Sequence, residues 1–171
     1  MCTPPARDFP LKNGGFELNL TYWEVDKSSP DWSVGTTSPG YHTPSAFFAR
    51  NNLSSTDQGF RVDLTQAFRT CPHRNYTFSA FYRLPDGGVQ YPTFYLAILP
   101  DGPSVYSTTF GSWLQLTGTF VASSSKTSLR LSVSSRNTGP RPGSDFLVDS
   151  VVVGPTRGAL KGVPRPRSVA R

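Results

Sequence analysis

Few residues in this chain have the types needed for chemistry. His42 and His73 are the two histidines, and Cys2 and Cys71 the two cysteines, among 171 residues. No H-E-x-x-H pair and no G-x-S-x-G serine elbow occurs. Glycoside hydrolysis would need two carboxylates across a cleft, but the acids are sparse and fall mostly in turns, as Asp86 and Asp101 do. The expectation is a protein with no catalytic residues of its own. Asp149 stands apart from the other acids. It lies within Phe146–Val153, among Leu147, Val151 and Val153, where an unpaired carboxylate would be costly. It requires a cation, an arginine or several N–H donors, and Arg50 is the arginine that competes with a metal for it.

A second group suits ligand contact without reaction. Phe81, Arg83, Tyr91, Tyr95, Gln115 and Arg130 all fall on the outward positions of alternating segments. Aromatic rings offer flat apolar faces with wet rims, and arginine and glutamine add planar polar groups. That mixture fits a pyranose, provided these segments are neighbours in one sheet. Trp32, in a polar and turn-rich stretch, is placed with them at a binding edge.

The elements that must position these residues are short strands. Tyr76, Phe78, Ala80 and Tyr82 alternate with Thr77, Ser79, Phe81 and Arg83 across residues 75–84, which end in a Pro85-Asp86-Gly87-Gly88 turn. Phe94, Leu96 and Ile98 face away from Tyr91, Thr93, Tyr95 and Ala97 within 91–99. Further strands are expected at 16–20, 22–25, 31–34, 45–50, 59–64, 113–122 and 129–133. A last one, at 145–153, is apolar nearly throughout and so covered on both faces. With 16 prolines and 15 glycines and no sustained helical period, the fold class is all-β, a sandwich or barrel. Residues 1–12 read as an extended leader, 13–154 as one domain and 155–171 as a disordered basic tail.

The net charge of +6 belongs to that tail. Five of the 17 basic residues (Arg157, Lys161, Arg165, Arg167 and Arg171) follow Pro155, where no acid occurs, which leaves 12 basic against 11 acidic residues in the body. The body has no basic stripe interleaved with aromatics, so no nucleic-acid partner is expected. No segment is long and apolar enough to span a bilayer. Sequons at Asn19, Asn52 and Asn75, with a Cys2–Cys71 disulfide as the expected state of the two thiols, point to an extracellular, secreted setting. No signal peptide is visible at Met1-Cys2-Thr3-Pro4-Pro5.

Five landmarks occur in order: Asn13-Gly14-Gly15-Phe16-Glu17, Trp23, Asn75-Tyr76-Thr77-Phe78-Ser79-Ala80, Trp113 to Phe120, and Asp145-Phe146-Leu147-Val148-Asp149. Their order and spacing over residues 12–154 resemble carbohydrate-binding modules of families four and nine, of the cellulase C type, and the Cys2 and Cys71 pair looks like variants in secreted fungal proteins. The resemblance implies a galactose-binding-like jelly roll of two antiparallel sheets that binds a polysaccharide or glycan. Such a module would be a monomer or one unit of a larger multidomain chain, such as an accessory domain of a glycoside hydrolase. It implies core positions for Trp23 and Trp113. It also implies a structural Ca²⁺ near Glu17 and Asp149, with Gly15 and Arg50 as further oxygen donors. The chain departs from the pattern at Val148-Asp149-Ser150, where paired acids are usual, and at residues 70–74, which lack a glycine. The competing reading is a structural or adhesion domain on the same fold, without sugar affinity.

Overall fold

A computed structural model describes residues 11–28, 32–51, 60–84, 89–90, 92–109, 111–135, 137–138 and 145–156. Among the described residues every regular element is a strand. They are β1 (Glu24–Lys27), β2 (Trp32–Thr37), β3 (Ala46–Asn51), β4 (Phe60–Arg69), β5 (Asn75–Arg83), β6 (Val89–Gln90), β7 (Thr93–Leu99), β8 (Ser104–Ser107), β9 (Leu114–Val121), β10 (Lys126–Ser135), β11 (Asn137–Thr138) and β12 (Phe146–Pro155). One five-stranded sheet runs β1-β4-β10-β7-β8, the other β2-β3-β12-β5-β9, and β6 with β11 forms a two-residue ribbon. All pairs are antiparallel. This is the expected two-sheet jelly roll.

Period-2 alternation builds the core between the sheets. Leu64 of β4, Phe94 and Leu96 of β7, and Leu129, Leu131 and Val133 of β10 are fully buried on one side. Phe47 of β3, Phe78 of β5 and Phe146 of β12 meet them from the other. Aromatic pairs bridge the two layers: Tyr82 stacks on Phe94 at 4.7 Å and 23°, and Phe68 meets Phe120 edge-on at 6.5 Å.

The strand β12 changes phase along its length. Phe146 and Val148 point inward, then Val151 and Val153 do. A register shift against β5 between Asp149 and Val152 absorbs the extra residue, and Ser150 adopts a φ of 49°. Such a bulge re-aims one side chain. Here it returns Val151 to the core layer, while Asp149 keeps the outward place that alternation with Phe146 and Val148 gives it.

Several sequence expectations are corrected. Residues 16–20 form turns rather than a first strand, because Asn13 ties the segment into a loop. Its Nδ2 donates to the carbonyls of Asn19 (2.7 Å) and Thr21 (3.2 Å), and its Oδ1 accepts from the Leu18 amide at 3.0 Å. The leader ends earlier than expected. Leu11 is buried, and the Lys12 main chain exchanges two hydrogen bonds with the Gln66 side chain. The strand β8 was not anticipated. Of the basic tail only Pro155 and Thr156 are described. Cys2, Asn52 and Tyr91 also lie outside the described residues.

Gly118 of β9 faces Phe78 of β5 across the ladder, and a Cβ there would come within 2.4 Å of the Phe78 ring. That ring is fully buried and lies 6.2 Å from Phe120, so it has nowhere to retreat. Gly118→Ala should cost about 1–3 kcal/mol, read as a fall in Tm of roughly 2–4 °C per kcal/mol at this chain size. Adding Phe78→Leu should recover part of the loss in a double-mutant cycle; strictly additive losses would refute the contact.

Candidate functional site

The outward face of the β1-β4-β10-β7-β8 sheet carries a mixed polar and aromatic surface. Register places Asp26, Asp63, Ser132, Tyr95 and Tyr106 in one row across the five strands, and Glu24, Thr65, Arg130, Ala97 and Ser104 in the next like-facing row. The middle of this face is sheltered although it points away from the core: Ser132 and Ala97 are each 3% exposed, while Tyr106 at the edge is 69% exposed. The centre of the face is therefore covered by its neighbours, while the β8 edge is open.

Its charges are unevenly matched. Arg61 holds Asp63 with two contacts of 2.8 Å, and Ser132 donates its hydroxyl to the same carboxylate. The hydrogen bond to Asp63 is the main cause of a raised Arg61 pKa, with Tyr95 and Asp26 adding smaller contributions. Arg61 thereby offsets the like charges of Asp26 and Asp63, which sit directly opposite each other. Arg130 has no such counter-ion among the described residues. Its guanidinium lies 5.8 Å from the Tyr95 ring centroid, and its Nε is enclosed with no hydrogen-bond partner.

The second constellation lies on the outward side of the other sheet, around Asp149. This side chain has no exposed surface. The Tyr41 amide (2.6 Å) and the Thr43 hydroxyl donate to Oδ2, and the Ser150 amide donates to Oδ1. Burial raises its pKa to about 6, against the lowering effect of these three donors, and the nearby Glu17 charge raises it further. Oxygens of Glu17 and Asp149 both lie within 4 Å of the point where a Cβ on Gly15 would stand. The two carboxylates are therefore less than 8 Å apart, as expected, but the reason differs. Glu17 is on a loop, not a strand, and β1 belongs to the opposite sheet.

The outward residues chosen from sequence do not form one surface. Tyr95 and Arg130 belong to the first face, whereas Phe81, Arg83 and Gln115 are on β5 and β9 of the other sheet. Alternation reveals which side of a strand a residue takes, but not which sheet the strand joins. Phe81 is 8% exposed, with Tyr41 stacked on it at 4.0 Å and 22°. Trp32 is buried in the core, edge-on to Phe146, not at a binding edge. Trp113 is half-buried against Tyr41 on the outer side, while Trp23 is a core residue as expected.

Arg50 is removed from the Asp149 site. It binds Asp145 through Nε at 2.6 Å and Nη2 at 2.7 Å, which raises its own pKa. In the β3–β12 ladder Ala49 faces Phe146 and Phe47 faces Val148, so Arg50 sits at the opposite end of the pairing from Asp149. Three residues that sequence reasoning missed are Tyr41 and Thr43, which hold Asp149, and Tyr106, the cross-strand partner of Tyr95. No sequence pattern links the first two to Asp149; only the fold brings Gly40 so near that a Cβ there would lie 2.6 Å from Asp149 Oδ2. The sequon residue Asn19 has its Oδ1 engaged by Thr36 at 2.7 Å, and Asn75 is exposed at the start of β5.

No family model and no curated protein matches the chain. Solved structures do. A family 61 carbohydrate-binding module in complex with β-1,4-galactotriose shares 19% identity at a TM-score of 0.63, over 87% of this chain and 99% of that one. A family 4 carbohydrate-binding module shares 13% identity at 0.54, over 84% and 98%. A cyclase from Fischerella sp. TAU shares 17% identity at 0.56, over 87% and 97%. At these identities the likeness establishes the jelly-roll fold, which serves both binding modules and an enzyme.

A buried Asp149 with a raised pKa has a defined pH signature. The folded state holds the proton more tightly than the unfolded chain, so the penalty for charging Asp149 is absent below pH 3.8 and complete above about 6. In chelator, the Asp149 contribution to stability should therefore decline as pH rises from about 4 to about 6. Asp149→Asn should remove that slope while turning an amide N–H₂ toward N–H donors, at a cost of about 1–3 kcal/mol. An unchanged slope in Asp149→Asn, measured by denaturant unfolding across this pH range, would contradict the assignment.

Proposed function

We propose that this chain is a non-catalytic carbohydrate-binding module, of the family four and nine type, whose ligand is a polysaccharide or glycan held on the outward face of the β4, β10, β7 and β8 strands. The observation that carries this reading is the sheltered centre of that face beside the adjacent Tyr95 and Tyr106. Two tyrosines side by side offer an apolar platform with hydroxyl rims for a pyranose. Arg130 on the adjacent β10 and Asp63 on β4 supply planar polar groups one and two strand spacings from Tyr95, at about 4.8 Å per step. Two solved neighbours support the reading: the family 61 module is in complex with a galactotriose, and a xylanase fragment made of a family 22 module and a GH10 module is complexed with xylohexaose. This chain is proposed to serve in the same way, as an accessory unit of a glycoside hydrolase.

The setting proposed is extracellular. Cys71 is buried and no free thiol occurs among the described residues, which supports a disulfide to Cys2. The exposed Asn75 is available to glycosylation.

A structural Ca²⁺ is proposed at the Glu17–Asp149 site. The donors are hard oxygens, as calcium prefers, and the absent side chains of Gly15 and Gly40 leave room beside both carboxylates. A cation would relieve the charge that burial and Glu17 now oppose at Asp149. Glu17 and Asp149 would hold it, with main-chain oxygen from Gly15. It would brace the loops over that sheet and take no part in sugar contact, since it lies on the opposite side of the sandwich from Tyr95.

Affinity electrophoresis against a panel of plant and fungal cell-wall polysaccharides tests the binding reading. Tyr95→Ala with Tyr106→Ala should weaken retention at least about tenfold with Tm nearly unchanged. Retention of none at millimolar sugar would favour the structural or adhesion role instead. For the metal, EDTA should lower Tm and added calcium restore it, by about 2.7 kcal/mol at a hundredfold excess over Kd. No response to either would remove the site.

A further inference from the structure

Positive charge gathers at one end of the sandwich. Two turns cross between the sheets there, residues 70–74 from β4 to β5 and residues 122–125 from β9 to β10. They are tied together: the Thr70 amide donates to the Ser125 carbonyl at 3.1 Å, the His73 amide to the Ala122 carbonyl at 2.7 Å, and the Ala122 amide to the Arg74 carbonyl at 3.0 Å. Arg69, Arg74 and Lys126 flank these turns, and all three are exposed. Arg69 and Lys126 stand directly opposite each other on β4 and β10, a like-charged pairing that costs stability. Another such pair in this sheet, Asp26 with Asp63, is offset by Arg61. No carboxylate plays that part for Arg69 and Lys126 among the described residues. Acids are absent from residues 64–85 and 102–144, and Asp101, in the turn after β7, belongs to neither ion pair of the described residues. The strand β12 ends at the same place. Pro155 faces Tyr76, and the Thr156 amide donates to the Asn75 carbonyl at 3.1 Å. Arg157, Lys161, Arg165, Arg167 and Arg171 follow from this point, with no acid anywhere in residues 150–171.

We propose that this end of the sandwich is a docking site for an anionic polysaccharide, separate from the Tyr95 and Tyr106 face. This rests on the carbohydrate-binding reading above and adds to it a second point of attachment. Like charges held close together sum to a field that concentrates a polyanion of opposite sign. Because the cations are exposed, the attraction is screened by salt. A polymer that meets Arg69 and Lys126 together supplies the counter-charge that the sheet lacks there. The chemistry of the two turns favours a glycan over other polyanions. Ser123, Ser124 and Ser125 are exposed and offer hydroxyls to a sugar. Neither turn contains Phe, Tyr, Trp, Leu or Ile. A nucleobase therefore finds no ring to stack on, and a bilayer finds no large apolar side chain to take up.

The test separates this end from the rest of the molecule by charge. Binding of the full chain to polygalacturonate and to dextran sulfate is measured by isothermal titration at about 0.05 M and about 0.3 M salt. Neutral galactan, single-stranded DNA and vesicles of anionic lipid are further arms. At least one anionic polysaccharide should bind at low salt and lose at least about tenfold in affinity at high salt, and the tighter of the two identifies carboxylate or sulfate as the anion. Arg69→Gln with Arg74→Gln and Lys126→Gln should weaken that binding at least about fivefold. Glutamine at the five basic positions after Thr156 should weaken it as well. Lys27→Gln with Arg50→Gln and Arg83→Gln, which removes the same charge from strand positions away from these turns, should leave it unchanged. Tyr95→Ala with Tyr106→Ala should also leave it unchanged. Thermal unfolding confirms that each variant is folded. Equal losses in the two triple variants, equal affinity for neutral and anionic polysaccharides, or tighter binding to DNA or vesicles would overturn the docking site while leaving the carbohydrate-binding reading in place. Binding to no polysaccharide, neutral or anionic, would overturn both.

Discussion

A carboxylate without solvent contact, Asp149, governs how one whole side of this sandwich is arranged. It lies beside the bulge where β12 changes phase, on the outward side set by alternation with Phe146 and Val148, and yet stays enclosed. An enclosed carboxylate must be met by donors, and the donors come from residues 41–43 and from Ser150. The loop that supplies them brings Tyr41 down onto Phe81 and against Trp113. The glycine segment at residues 14–15 approaches from the other direction, with the Val151 amide donating to the Gly14 carbonyl at 2.9 Å. One polar group thus recruits two loops and closes the outer surface of a sheet.

The two sheets acquire different tasks from this asymmetry. The β2-β3-β12-β5-β9 sheet is covered on its outer side near Asp149, so aromatic residues there pack on protein. The other sheet keeps its outer side for polar pairs and the two tyrosines. An ion pair between Arg61 and Asp63 organises its centre, at modest energetic value because Arg61 remains half-exposed. What matters there is orientation: Asp63 is fixed by two partners, Arg61 and Ser132.

The loop at residues 13–22 shows how a local rule can mislead. Phe16, Leu18 and Leu20 alternate with Glu17 and Asn19 as a strand would. The segment instead places Asn13, Phe16, Asn19 and Tyr22 at positive φ, a region that costs energy for a bulky residue. Packing holds Phe16 there, with its ring 5.6 Å from Trp23 and 5.9 Å from Phe47. Core burial and the Asn13 hydrogen bonds outweigh the intrinsic strand preference, which depends strongly on context.

Period-2 alternation alone determined the all-β class, the inward positions of β5, β7 and β10, and the identity of Asp149 as a carboxylate in need of partners. Each of these depends on neighbours one or two residues apart, a scale on which side-chain direction is set by the backbone itself. Tertiary structure alone decided which sheet each strand joins. It therefore separated Phe81, Arg83 and Gln115 from Tyr95 and Arg130, buried Trp32, joined Tyr95 to Tyr106, and gave Arg50 to Asp145. The physical reason is that a jelly roll distributes its strands between two layers by long-range pairing. The energy of that pairing comes from residues far apart in the chain, such as Leu131 with Leu64 and Val148 with Tyr82, and no local pattern carries it.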